Sequence, residues 1–511
     1  MSFASDPAGW VESTGGSENH VFLRTPQGRE VSYATLREYS GRLAAALILH
    51  GVRPGDRVAV QVDKSVEAVL LYVACLRMGA VFVPINVANT PNEVEYFLLD
   101  SQPRVAVIRP QDAGMLEASA RQAGVEHILT LGAEGEGSLL KLAAACASDF
   151  EASASLAPGS LAAIVYTSGT TGRSKGAMLT RANLASNAAV LAEAWRFTST
   201  DVLLHTLPLF HIHGLFAAIN TVLASGAGLL LLSKFDAPQT LQYLRDATVY
   251  MGVPTHYTRL LQQDGLNHDS TATIRLFVSG SAPLLPETHR AFLERTKHVI
   301  LERYGMTETL MNTSNPYEGL RMPGSVGPAL KGTSIRVSNA ESGAVEPEPE
   351  VIGTLQVKGP NVFAGYWRDE EKTRDEFTAD GWFKTGDVGR IDRNGYVHIV
   401  GRAKDLVISG GYNVYPKEVE TELDALAGVM ESAVFGVPHP DFGEGVTAAV
   451  VAMPGAVLSE EAIIDAVKAR LARYKVPKRI LLVDELPRNA MGKVQKNALR
   501  KAYAALYAAE Q

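Results

Sequence analysis

The chain has 511 residues, 46% apolar and 20% charged, with a formal net charge of −7. That length exceeds one core, so two to four domains are expected, and the charge balance offers no pull on nucleic acid or anionic lipid. Cys75 and Cys146 are the only cysteines and have no partners at metal-ligand spacing, so they read as small hydrophobes of a reducing compartment.

The first residues, "MSFASDPAGWVESTGG", lack the basic start and apolar core of a signal peptide. The longest apolar run, "HGLFAAINTVLASGAGLLLLS" (213–233), is broken by Asn220, Ser225 and glycines, and falls short of the ~20 predominantly apolar residues of a membrane span. A cytoplasmic protein without membrane or nucleic-acid partners is expected.

Helix and strand patterns alternate from the start. "SYATLREYSGRLAAALILHG" (32–51) sets Leu36, Leu43, Leu47 and Leu49 near one helical face, with Gly51 as the stop. "DRVAVQV" (56–62) reads as a buried strand, "SVEAVLLYVACLRMGA" (65–80) as a helix, and "VFVPIN" (81–86) as the next strand. "TVYMGVP" (248–254) and "IRLFVSGSAP" (274–283) continue the alternation, which predicts parallel α/β sheets. After Val351 the texture changes to short strands with glycine turns, "IGTLQVKGPNV", "GWFKTGDVGRI" and "GYVHIVGR", a small β-barrel-like unit closing the large domain. The loosest linker is expected at 338–350. The last hundred or so residues predict a small α+β domain: helix "PKEVETELDAL", strands "VMESAVFGV" and "GVTAAVVAM", a capped amphipathic helix "SEEAIIDAVKARLARY" and a strand "RILLVDEL". The expected division is 1–402 for the large domain and 403–511 for the small, mobile one.

Between the strand pattern "LAAIV" and the next helix lies "YTSGTTGRSKGAML" (166–179). A glycine-rich turn after a buried strand exposes successive backbone N–H groups that suit anionic oxygens. Thr167, Ser168, Thr170 and Thr171 add hydroxyls around Gly169 and Gly172, and Lys175 adds a point charge, so a polyphosphate cradle is predicted. The spacing is not that of a Walker loop, which needs four residues between its first glycine and Gly-Lys-Ser/Thr.

The same string closely resembles the phosphate-loop signature of the acyl-adenylating superfamily, which includes acyl-CoA synthetases, luciferases and peptide-synthetase adenylation domains. Further segments match in the family's order: "GSAP" (280–283), "YGMTE" (304–308), "TGD" (385–387), "GRAKD" (401–405) and "PRNAMGK" (487–493). The resemblance spans nearly the whole chain. It implies a two-step reaction: a carboxylate attacks the α-phosphorus of ATP to give an acyl-adenylate and pyrophosphate, and a thiol, usually that of CoA, then displaces AMP. A carboxylate is already an anion at pH 7, so the first step needs in-line positioning and charge neutralisation rather than a base.

The resemblance assigns Thr307 to the α-phosphate, Glu308 to Mg²⁺ and Tyr304 to one face of the adenine, with Gly305 between them; Gly280, Ser281, Ala282 and Pro283 form the other adenine wall. Glu308 is a hard oxygen ligand suited to magnesium. Asp387 is the implied ribose partner, and Arg402 reaches ribose or phosphate, with a surface ion pair as its alternative. Lys493 is implied to touch the reacting carboxylate and α-phosphate during adenylation alone, where a cation aimed at developing charge contributes ~3 kcal/mol. The small domain must then move, with Lys404 as the hinge and Gly411 in "GGYN" leaving room for pantetheine.

Arg303, just before Tyr304, offers a bidentate fork to a second carboxylate and suits a short dicarboxylic acid. An aromatic or fatty acid leaves that charge unpaired, at a cost of several kcal/mol. The alternative is an ion pair with Glu302 or Glu308, pointing out of the pocket. In "PLFHIHG", His211 is read as lining the acid pocket and His213 as a satisfied core residue, while Ser279 can donate to the acid. These stretches resemble the malonyl-CoA synthetase branch, which implies malonate, ATP and CoA as substrates and methylmalonate as a secondary acid, since one methyl discriminates by only ~1–3 kcal/mol. The rivals are a CoA ligase for another short-chain, medium-chain or aryl acid, and a loading module for a carrier protein, for which no carrier domain is expected.

Overall fold

The computed structural model describes residues 6–12, 19–147, 150, 156–167, 174–339, 342–410, 412–489 and 492–507. Its contacts group the chain into two compact units: Met1–Ser334 with Val357–Phe383, and Ile335–Gln356 with Lys384–Gln511. The expected break at 402/403 falls inside the second unit.

The first unit holds two sheets. In one, the strands run in the order 310–314, 301–306, 276–279, 249–252, 202–205, 228–231, 21–24 and 30–32. In the other the order is 365–366, 175–180, 161–167, 81–84, 57–61, 105–108 and 127–130. The inner pairings are parallel, and antiparallel partners sit toward the ends, as with Thr167 opposite Lys175. Strands such as Val81–Pro84 and Leu276–Ser279 are buried throughout, which is why they read as continuous apolar runs rather than alternations.

The helix Val66–Met78 is buried along its whole length. Tyr72 shows why: its ring meets Phe82 of one strand at 5.2 Å and Phe216 at 6.0 Å, and its hydroxyl donates to Asn220 Oδ1 at 2.8 Å. An all-round apolar helix is what a middle layer requires. In the helix Tyr33–Leu49, capped by Ser32, the residues Leu36, Leu43 and Leu47 are buried as expected. Leu49 is not: it is 76% exposed, because two residues beyond Leu47 it lies about 200° round the helix, on the opposite face. The long apolar run folds as a π-helix His213–Ile219, an α-helix Asn220–Ser225 and a strand Gly228–Leu231. Among the described residues, no helix is long and apolar enough to cross a membrane. Cys75 is buried and Cys146 is partly so; both are free thiols.

In the second unit, a sheet orders its strands 345–346, 334–338, 353–358, 383–391 and 397–402. The expected linker at 338–350 is therefore partly structured: Val345–Glu346 pairs antiparallel with Val337–Ser338. The C-terminal sheet orders 412–414, 407–409, 443–452 and 429–439, with 479–482 running parallel beside 443–452. Its core gathers Val407, Val414, Val419, Leu423, Val434 and Val450. The helix predicted from Ser459 has the expected cap, with Ser459 accepting from Ala462 N, but it ends at Lys468 rather than continuing to Tyr474.

Candidate active site

The candidate residues fall into two groups, one in each compact unit. In the first, the strands Leu161–Thr167 and Lys175–Thr180 pair so that Thr167 and Lys175 flank the phosphate-loop segment. Ser168, Gly169, Thr170, Thr171 and Gly172 lie outside the described residues. The Lys175 ammonium stands 5.5 Å from the ring centroid of Tyr366. Burial and the neighbouring Lys372 lower its pKa, while Asp369, Glu376 and Glu308 act in the opposite sense.

The strand Leu301–Met306 carries Arg303, Tyr304 and Gly305 and leads directly to Thr307 and Glu308. It turns at 307–309 and pairs antiparallel with Leu310–Ser314, with a register shift between Tyr304 and Gly305. A Cβ at Gly305 would sit 2.0 Å from the Leu310 carbonyl oxygen, so only glycine allows that approach. Thr307 is partly accessible, whereas Glu308 is buried and accepts a hydrogen bond from Tyr366 Oη at 3.1 Å.

The strand Leu276–Ser279 runs parallel to 301–306, with Ser279 opposite Glu302, and leads into Gly280, Ser281, Ala282 and Pro283. Ser281 has φ of 70°, a left-handed conformation that costs a non-glycine residue of order 1–3 kcal/mol. Its Oγ lies 3.1 Å from His213 Nδ1. Gly280 abuts the Arg303 guanidinium so closely that a Cβ there would fall 2.5 Å from its central carbon.

Arg303 is 3% exposed, and its Nε and Nη2 have no hydrogen-bond partner among the described residues. The ion pair weighed for it is not formed: Glu302 accepts instead from Gly324 N and Glu308 from Tyr366. Burial pulls the guanidinium pKa down to about 9, still protonated at pH 7. Ser279 Oγ and His213 Nε2 are also buried without partners among the described residues. His213 is neutral, held well below the usual histidine range first by burial and then by Arg303. His211 is partly accessible, and its Nδ1 accepts from His213 N at 3.2 Å. His213 is thus buried, as expected of a core residue, yet only half satisfied. Its open nitrogen leaves no mark in the sequence, because the groups around the ring, Ser281 and Arg303 among them, come from distant parts of the chain.

In the second unit, Asp387 and Arg402 are register partners on adjacent strands, and Arg402 Nε lies 2.9 Å from Asp387 Oδ1. The surface-pair alternative for Arg402 is thus realised with a buried acid. Lys404 is exposed on the short turn Ala403–Asp405. Lys493 projects from a tight loop in which its N–H donates to Asn489 Oδ1 at 3.0 Å and its carbonyl accepts from Asn489 N at 3.0 Å. Burial and then Arg402 bring the Lys493 pKa down to about 8, against the opposing pull of Asp387 and Asp405. Lys496 anchors the following helix through Glu420 at 2.5 Å. Gly411 lies outside the described residues.

A family model for AMP-binding enzymes matches residues 10–367, and one for the AMP-binding enzyme C-terminal domain matches 418–493. The chain belongs to the AMP-binding enzyme family. The mitochondrial malonate–CoA ligase of Mus musculus is 36% identical over 89% of this chain and 83% of that protein. The oxalate–CoA ligase of Arabidopsis thaliana is 34% identical over 93% of each. Among solved structures, ATP-bound MatB from Rhodopseudomonas palustris is 51% identical, covers 98% of this chain and 99% of that one, and superposes with a TM-score of 0.96. As a member of this family, the protein is an AMP-forming acyl-CoA synthetase, a ligase that takes an acid, ATP and CoA as small-molecule substrates. Its mixed α/β fold, with a large N-terminal and a small C-terminal domain, is that of its relatives.

Proposed function

We propose that the acid is malonate, with methylmalonate as a secondary substrate, so that the enzyme makes malonyl-CoA, AMP and pyrophosphate. The observation that carries this reading is the buried Arg303, whose Nε and Nη2 find no partner among the described residues, where Ser279 Oγ and His213 Nε2 are equally unpaired. A buried guanidinium without an anion is costly, and a planar carboxylate offers two parallel acceptors for it. A monocarboxylic acid spends its only carboxylate on the α-phosphorus and leaves Arg303 uncompensated. A dicarboxylic acid supplies one carboxylate for the reaction and one for the anchor. Similarity to malonate–CoA ligases of Mus musculus and Arabidopsis thaliana supports the same choice. The oxalate–CoA ligase similarity keeps the shorter diacid as a competitor.

In this reading Ser279, Arg303 and His211 bind the distal carboxylate, and the neutral His213 donates to it from Nε2 if Ser281 supplies the proton at Nδ1. Tyr304, Gly305 and the 280–283 segment hold the adenine, Asp387 and Arg402 the ribose, and Thr307 the α-phosphate. Thr167, Ser168, Gly169, Thr170, Thr171, Gly172 and Lys175 cradle the phosphates. One buried carboxylate suits Mg²⁺, which is commonly held by one or two carboxylates plus substrate phosphates rather than by a protein cage. Glu308 would hold it, and the ion would neutralise charge on the phosphates. Lys493 neutralises charge at the α-phosphorus in the first half-reaction. Rotation about Lys404 then removes it and brings Gly411 to the pantetheine path.

The test is AMP release across C2–C6 mono- and diacids with wild-type and R303A enzyme. Malonate should lead, and the substitution should lower its kcat/KM by a hundredfold or more while sparing ATP affinity. A monoacid preferred by the wild type, or malonate kinetics untouched in R303A, overturns the reading.

A further inference from the structure

Tyr366 appears in none of the assignments above, yet it touches two of the groups they depend on. It belongs to the two-residue strand Gly365–Tyr366, which pairs with the strand carrying Lys175, Tyr366 opposite Ala177. The backbone there is laced on both sides: Ala364 N donates to Met178 O at 2.9 Å and Trp367 N to Gly176 O at 2.7 Å. Tyr366 N donates to Thr373 Oγ1 at 2.8 Å, and the ring packs edge-on against Phe363 at 4.9 Å. Phe363 N in turn donates to the Glu308 carbonyl at 2.8 Å. The tyrosine therefore has little freedom. Its hydroxyl meets Glu308 Oε1 at 3.1 Å, and its ring lies beneath the Lys175 ammonium.

We infer that Tyr366 is a positioning residue: it fixes the plane of the Glu308 carboxylate for a divalent cation and steadies Lys175 for the polyphosphate. The inference rests on the reading of Glu308 as the metal-bearing carboxylate. A carboxylate with one oxygen tied by a rigid donor presents the rest of its surface in a set direction, and such outer partners typically contribute 10–100-fold to metal affinity. A cation over an aromatic face is held electrostatically without a covalent or ionic partner, which leaves the Lys175 ammonium able to meet phosphate oxygens.

The experiment measures Mn²⁺ binding by water-proton relaxation, using the full-length enzyme with a non-hydrolysable ATP analogue, in wild-type, Y366F, Y366L and E308Q proteins whose folding is checked by circular dichroism. Y366F keeps the ring and should weaken Mn²⁺ 10–100-fold with analogue affinity unchanged. Y366L should weaken both, because Lys175 loses its support as well. Weaker Mn²⁺ in E308Q but not in either Tyr366 variant overturns the inference and leaves the Glu308 reading standing. Unchanged Mn²⁺ in E308Q removes that reading, and this inference with it. Should Y366F fold poorly, Y366L against wild type decides: unaltered Mn²⁺ binding in it is equally fatal.

Discussion

Arg402 and Asp387 face each other across paired strands, Nε to Oδ1 at 2.9 Å, and act in opposite senses on the Lys493 ammonium. The cation lowers the lysine's affinity for its proton and the acid raises it; Lys404 and Asp405 add smaller contributions of the same two kinds. The two residues proposed to hold the ribose thus also tune the lysine proposed to serve adenylation.

The first prediction follows from that balance. If Lys493 serves adenylation as proposed, it does so as the protonated ammonium, and malonate-dependent pyrophosphate exchange should fall as pH rises through about 8. R402M removes the larger cationic neighbour and should move that alkaline limb upward, even as its maximum rate drops. The stability sign is opposite. A folded-state pKa below the unfolded one means the unfolded chain binds more protons in the window between them, so stability should rise from pH 8 toward the ordinary lysine range. K493M should flatten that rise in denaturant titrations across pH.

Removal of the same ammonium separates the half-reactions. K493A should lose about two decades of adenylation rate, the equivalent of ~3 kcal/mol. Conversion of supplied malonyl-adenylate to malonyl-CoA should persist near the wild-type rate. Equal losses in both halves contradict a lysine that serves only one.

Arg303 invites a substitution that trades activity for stability. R303M fills similar space without charge, so it should abolish malonate activation while leaving the melting temperature unchanged or raised, in line with the ~1–4 kcal/mol seen when buried ionic groups give way to apolar ones. A marked fall in melting temperature instead makes Arg303 a structural residue.

Gly280 is the finest probe of the pocket. A methyl there would sit 2.5 Å from the central guanidinium carbon, so G280A must push the Arg303 side chain aside. The malonate KM should rise about tenfold, ~1.4 kcal/mol, with a smaller change in the ATP KM. Malonate and ATP constants that move together point to a distorted adenine wall rather than a displaced anchor.

Much of the fold was legible because its physics is local. Strands buried on both faces appear as apolar runs, and helices such as Val66–Met78 stop at glycine. The misses do not share one cause. Leu49 was grouped with Leu36, Leu43 and Leu47, yet two residues beyond Leu47 it lies about 200° round the helix, on the face turned to solvent. The hairpin at Val345–Glu346 is too short and polar to register as a strand. Arg303 was visible as a bidentate cation set immediately before Tyr304, in a strand leading to the site. The unpaired nitrogen of His213 was not, because two histidines two apart cannot be told apart without the helix that seats them. Tyr366 carried no signal, since an aromatic between glycine and tryptophan resembles core.

The buried guanidinium behind Gly280 also bears on the protein at rest. If a diacid is the substrate, as proposed, the interior holds an uncompensated charge until a dianion occupies the pocket. Thermal melts should therefore record protection by malonate far beyond that given by acetate or propionate at matched concentration, with sodium chloride unable to mimic it.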